Sequence, residues 1–241
     1  MSDWKPRRFW QAASVEPVAA GFAIRLDGKQ ARTPARAPLE VPTRALAEAI
    51  AAEWEAQEKH VDPRTMPCTR TANAAIDKVA AQRAEVADML AGYGDSDLLC
   101  YRAESPVELV ARQAGAWDPA LDWAAEALGA RLAAHAGVMH RAQDPAALDR
   151  LAGMVHAMSP FELAAFHDLV LLSGSLVLAF AVAAGWRDAD SIWSLSRLEE
   201  DWQQEQWGED AEAADAAARR RADFLQAARF LDLARNAPLA G

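Results

Sequence analysis

"GFAIRLDGKQARTP", Gly21 to Pro34, is the stretch that separates a mixed fold from an all-helical one. Phe22, Ile24 and Leu26 alternate with other residues, the period-two pattern of a strand with one buried face. Asp27-Gly28 follows, a pair that tolerates the positive φ required at both central positions of a two-residue hairpin turn. A β-hairpin is predicted here, with "LEVP", Leu39 to Pro42, adding a short strand. Thr43 then offers a hydroxyl cap, and Leu46, Ile50 and Trp54 recur at helical spacing until Pro63 forbids continuation. Trp54 is assigned to the core, linking this helix to the sheet.

After "MPCTRTANAAIDKVA", Met66 to Ala80, helical spacing resumes and runs to about Leu90. Leu98 to Tyr101 forms an apolar cluster between turn residues and reads as a strand. Pro106 to Leu128 is helical again, and "ARLAAHAGV", Ala130 to Val138, is read as a further strand in preference to a helical end. Beyond "HRAQDPAALDR" the pattern is helical throughout. Ser159-Pro160-Phe161-Glu162 is a capping box with proline at the first helical position. Asp188 or Asp190 caps a later helix that Gly208 ends, and a final helix is expected from about Glu209 to Leu233. The expected fold class is α+β. An N-terminal alpha+beta domain of antiparallel strands and helices, residues 1–142, precedes an all-helical C-terminal domain, residues 143–241.

Composition narrows the function. With 52% hydrophobic residues and nine tryptophans the chain can bury a core, so it is globular. A formal charge of -10 repels a phosphate backbone, and the basic clusters at Lys5 to Arg8 and Arg219 to Arg221 are short, so nucleic acid is not an expected partner. Leu169 to Trp186 carries no charge over 18 residues, at the lower edge of a bilayer span. Its Ser173-Gly174-Ser175 break and its alanines fit two abutting core helices better, and no membrane insertion is expected. The N-terminus has cations but no apolar run behind them, unlike a signal peptide or anchor, so the expected location is the cytoplasm. Cys68 and Cys100 have no metal-ligand spacing and fit a reducing compartment.

No sequence signal for a cofactor emerges. There is no GxxxxGK[ST] loop, and "SGSLV" lacks the second glycine of a nucleophile elbow. The histidines at 60, 135, 140, 156 and 167 lack the HExxH spacing that puts two imidazoles on one helical face. What remains is "RLEEDWQQEQWGED", Arg197 to Asp210. From Glu199 to Asp215 eight carboxylates occur without a lysine or arginine. At about 100° per residue, Ile192, Leu195, Leu198 and Trp202 share an inward face with Glu199 at its edge. Trp193, Glu200, Gln204 and Trp207 form a second stripe almost opposite. Three readings are open: a charged face whose tryptophans tuck under the last helix, a docking surface, or an active site. The last would make the protein a small soluble hydrolase or metal-dependent enzyme using Glu199, Glu205 and His167.

"KPRRFW", "IRLDGKQARTP", "LAEAIAAEWEAQ", "TMPCTRTANAAID", "GSLVLAFAV" and "LSRLEEDWQQEQWG" occur in the order seen in the ATP-twelve family. The specific combination is EWxxQ (Glu53, Trp54, Gln57), MPxT (Met66, Pro67, Thr69) and LEExxQxxxWG (Leu198 to Gly208). The chain resembles these assembly chaperones of the F-type ATP synthase alpha subunit from about Lys5 to Asp210. The resemblance implies two domains, no enzymatic activity, no cofactor, and the free alpha subunit as partner, shielded until the catalytic hexamer assembles. It associates acidic positions of the C-terminal domain with that role, carried here to Glu199, Glu200 and Asp190. Together with the stripe and its neighbour Glu205, the expected partner-binding residues are Asp190, Trp193, Glu199, Glu200, Gln204, Glu205 and Trp207. Mitochondrial members of that family need an import segment; none is read here, so a bacterial, cytoplasmic member is expected.

Overall fold

The structure, a computed structural model, describes residues 7–208 and 210–235. Lys5, and Glu209 at the expected start of the last helix, lie outside the described residues. By packing, these residues form two compact units, one of 7–83, 159–165 and 229–235, the other of 84–158 and 166–228. Residue 142, where the sequence changes character, falls inside the uninterrupted run 84–158 of the second unit.

The first unit is built on β1 (Ala13–Val18), β2 (Gly21–Leu26), β3 (Lys29–Gln30) and β4 (Glu40–Val41), all antiparallel, with β2 paired to the other three. Asp27 and Gly28 adopt φ of 48° and 78°, as the hairpin turn demands. The Asp27 carboxylate accepts the Gln11 and Ala12 amides at 2.9 to 3.0 Å, and those bonds hold its pKa below the usual range. Gly21 is obligatory, because at φ 145° a Cβ would stand 2.3 Å from the Val41 carbonyl oxygen. Ile24 and Leu26 are buried as the alternation predicts, but so is Ala23, while Phe22 is half-buried beneath the Arg44 guanidinium.

Thr43 caps α1 (Arg44–Glu55), accepting the Leu46 amide at 3.1 Å and donating its own hydroxyl to the Leu233 carbonyl. Trp54 is half-buried edge-on to Trp10 at 5.0 Å, and it is Trp10 that the core encloses. The neighbouring motif residues have structural tasks. Glu53 accepts the Cys68 and Thr69 amides and the Thr69 hydroxyl at 2.7 to 2.8 Å, capping α2 (Pro67–Ala74), whose own cap residue Met66 offers no side-chain bond. Gln57 ties the intervening loop through the Asp62 amide and the Thr65 hydroxyl. A π turn over Ala75–Val79 continues α2, and its Asp77 accepts Thr33 Oγ1 at 2.6 Å. Glu162 of the capping box accepts the Ser159 amide and pairs with Arg235 at 2.7 Å.

The second unit holds α3 (Arg83–Ala91), the short parallel pair β5 (Tyr101–Arg102) and β6 (His135–Ala136), α4 (Val107–Ala127) and α5 (Pro145–His156). It continues in α6 (Pro160–Ser173), α7 (Leu176–Ala183), α8 (Ala189–Ser196), α9 (Leu198–Trp207) and α10 (Ala211–Ala234). The ends of α3, α6 and α10 that belong to the first unit are those given above. Past Ala136 the described residues hold no strand. Leu98–Cys100 is a 3-10 turn and not the predicted strand, because the Asp97 carboxylate accepts the Leu99 amide and closes it. The uncharged segment is indeed two helices, α6 and α7, separated at Gly174 with φ 69°. Among the described residues no helix is long and apolar enough to cross a membrane.

All eight residues of α7 are buried, and Asp97 is the polar group that satisfies its start. Its carboxylate accepts Ser175 Oγ at 2.8 Å and the Val177 amide at 3.0 Å. Burial pushes Asp97 up to about 6 against these donors, which pull it down. Cys100 is raised to about 12 by the same loss of water, which makes it a small core hydrophobe.

One predicted helix is two. The wheel that placed Trp193 on an outward stripe assumed a single phase from Asp188 to Gly208. The backbone leaves the helix at Arg197 (φ -103°, ψ 5°), with the Ser196 hydroxyl donating to the Trp193 carbonyl at 2.7 Å. The rotation between α8 and α9 is reset there. Trp193 turns inward, 5% exposed, with its ring 5.5 Å from that of Phe224 and the Arg197 guanidinium over it. Its outward placement is corrected.

Two outcomes follow from this packing. Trp193→Ala should cost about 3 to 5 kcal/mol, lowering the thermal midpoint by roughly 6 to 20 °C; a shift below about 2 °C in calorimetry would return Trp193 to the surface. For Asp97, the folded value near 6 exceeds the ordinary 3.8, so the folded state holds this proton more tightly than the unfolded chain. Its contribution is present in full below about pH 4 and lost as pH rises through 6, a swing of about 3 kcal/mol. Urea denaturation from pH 4 to 7 should show wild type losing that much relative to Asp97→Asn. A pH-independent difference would mean Asp97 stays ionised throughout.

Candidate docking surface on α9

α9 begins with Glu199, Glu200 and Asp201, carboxylates that the partial positive charge of a helix N-terminus favours. It ends at Gly208, whose φ of 91° releases the chain. Leu198 is buried and Trp202 half-buried, the inward face the periodicity predicts. Trp207 is 80% exposed at the opposite end.

The helix is held against α4 by two residues adjacent in sequence. Gln113, fully buried, accepts the Ala103 amide at 2.8 Å through its oxygen and donates to the Glu199 carboxylate through its nitrogen. Arg112 grips Glu205 with two parallel bonds of 2.6 and 2.8 Å and lies over the Trp202 ring. Arg197 pairs with Glu200 at 2.6 Å, and Arg221 of α10 with Asp190 of α8 at 2.6 Å. Arg112 and Arg221 hold Glu205 and Asp190 below the usual carboxylate range.

Glu199 and Asp201 behave differently. Burial, then the neighbouring Glu200 charge, pushes Glu199 up, and only the Gln113 amide opposes this. Burial likewise raises Asp201, opposed by the charges of Arg197 and Arg112. Two grooves flank the helix. One of about 420 Å³ opens toward the start of α4, walled by Pro106, Leu109, Trp202 and Trp207 with Glu199 at its side. The other, about 320 Å³, lies toward α10 and is lined by Asp190, Arg197, Asp201, Gln204 and Arg221.

Of the seven predicted binding residues, α9 therefore gathers Glu199, Glu200, Gln204, Glu205 and Trp207, with Asp190 across the second groove. Trp193 forms part of that groove's floor from a buried position. Arg112, Gln113 and Leu109 were not legible, being some 90 residues away (86 between Gln113 and Glu199) with no spacing signal to tie them to α9. For the enzymatic alternative, Glu205 is engaged by Arg112 and His167 by Asp168 at 2.9 Å. Among the described residues no three His, Cys, Asp or Glu side chains converge where a metal could be held.

Comparison with known proteins gives this geometry a family. The model of the family described as ATP12 chaperone protein matches residues 7–125. The mitochondrial protein atp12 of Schizosaccharomyces pombe is 27% identical over 223 residues, covering 87% of this chain and 77% of that protein. The Agrobacterium tumefaciens protein Atu1473 superposes with a TM-score of 0.90 at 44% identity, covering 95% of this chain and 87% of that one. The crystal structure of Atp12 from Paracoccus denitrificans superposes with a TM-score of 0.94. Because it is 48% identical over 97% of this chain and all of its own, the chain belongs to the ATP12 chaperone family.

Proposed function

We propose that this chain is a cytoplasmic assembly chaperone of the F-type ATP synthase, which holds the free alpha subunit until the catalytic hexamer forms. It acts by binding and carries out no chemical step. Family membership supports the class of function, and the observation that supports α9 as the docking element is Trp207. An indole 80% exposed, on a helix that carries four carboxylates and no cation of its own, is an anchor that the described residues leave uncovered. Tryptophan supplies contact area at low entropy cost, and the carboxylates around it steer a basic partner. Glu199, Glu200, Gln204 and Glu205 complete the proposed docking face on α9, and Asp190 and Trp193 belong to it through the groove toward α10.

An orphan subunit exposes apolar surface that aggregates, and its chaperone must shield that surface yet yield to the final partner. Purified protein should therefore suppress light scattering by isolated alpha subunit. Trp207→Ala should weaken that binding about tenfold, with the thermal midpoint moved by less than about 1 °C. The association rate should fall as salt rises from 50 to 500 mM, roughly spanning Debye lengths of 14 to 4 Å. Unchanged affinity in the variant would remove α9 from the interface; failure of the wild type to bind alpha subunit would remove the partner.

A further inference from the structure

Resting on that reading, we propose that the groove between the start of α4 and α9 seats an apolar partner side chain that stands next to a lysine or arginine, with Glu199 receiving the cation. The walls decide the first half. Pro106, Leu109, Trp202 and Trp207 form its apolar wall, with Ser105, Gln203 and Gln206 beside them, and the open groove has a volume of about 420 Å³. That is room for one or two adjacent side chains, not for a folded element.

Charge decides the second half. Of the four α9 carboxylates, Glu200 and Glu205 already have arginines at 2.6 Å, and Asp201 lines the other groove beside Arg197. Among the described residues Glu199 is bonded by the neutral amide of Gln113, and Gln113 cannot turn away, since it is fully buried and its oxygen holds the Ala103 amide. A half-buried carboxylate fixed by a neutral donor has lost water without gaining a counter-charge. A guanidinium or ammonium entering the groove would supply it, laying its aliphatic stem along the indole walls. The Glu199 carboxylate at the groove's side likewise repels an acidic segment.

The test uses the full chain with two probes, purified alpha subunit and a fluorescein-labelled Gly-Ser dodecapeptide carrying a central Phe-Arg pair, with its Phe-Glu counterpart as control. The Phe-Arg peptide should bind at least about tenfold more tightly than the Phe-Glu one. Glu199→Gln keeps the side-chain shape and should weaken both probes about tenfold. Glu212→Gln removes an equal charge from an exposed position that lines neither groove, and should change each by less than about twofold. If Glu199→Gln proves unstable, Trp207→Ser at its exposed wall position takes its place with the same expectation. Alpha subunit bound equally by wild type and these variants would overturn the groove while leaving the chaperone reading intact. Glu199-dependent capture of the Phe-Arg peptide without capture of alpha subunit would sustain the groove and overturn the partner. Equal binding of the two peptides would overturn the cation's role.

Discussion

The arrangement of α9 depends on one buried amide. Gln113 has no water with which to exchange bonds, so its oxygen must keep the Ala103 amide and its nitrogen must keep Glu199. That fixes the rotation of α9 about its own axis, which in turn puts Leu198 inward and leaves Trp207 outward. The break at Arg197 makes such a setting possible. Had α8 and α9 been one rod, the inward Trp193 would have dictated the phase of every later residue. As separate helices, α8 is placed by Trp193 against Phe224 and by the Trp117 indole donating to the Leu195 carbonyl at 2.8 Å, while α9 answers to α4.

This explains which parts were legible in the sequence. Local signals with a single physical solution read correctly: the Asp27-Gly28 turn, the Thr43 cap, the Ser159 to Glu162 capping box, the Gly174 stop. Each needs only residues within a few positions of itself. What failed depended on distant partners. Leu98 to Cys100 has strand composition, but Asp97 is drawn into capping α7, and the turn it closes consumes those residues. Arg197 is a good helix former with nothing in its neighbours to mark a break. The amphipathic stripe was a correct period applied across a discontinuity, so Trp207 in its second half is exposed, Glu200 and Gln204 are half-buried, and Trp193 in its first half turns inward.

The motifs that mark the family divide by task. EWxxQ and MPxT meet in the first unit, where Glu53 caps α2 and Gln57 fastens the loop that leads into it. Neither needs a ligand to explain it. The LEExxQxxxWG stretch is different, because packing accounts for Leu198, Arg112 accounts for Glu205, and Gly208 for the exit, but nothing in the fold requires an exposed indole at 207.

A chaperone that must let go has a particular electrostatic need. If every carboxylate of α9 were already matched, the surface would attract a basic client weakly; if none were, the helix would repel itself and bind any cation in reach. The observed state lies between. Arg112 neutralises Glu205 at the exposed rim, where ion pairs stabilise little, Arg197 neutralises the half-buried Glu200, and the half-buried Glu199 is left with a neutral donor. The free protein thus carries a modest desolvation cost at Glu199 and at Asp201, where Arg197 and Arg112 offset part of it, and in the proposed docking role a client cation would offset the cost at Glu199. In the docking role proposed for α9, that gain, confined to a side chain beside an apolar groove, would add selectivity for a basic-apolar pair without the affinity of a large buried interface, so that a competitor with more area would displace it.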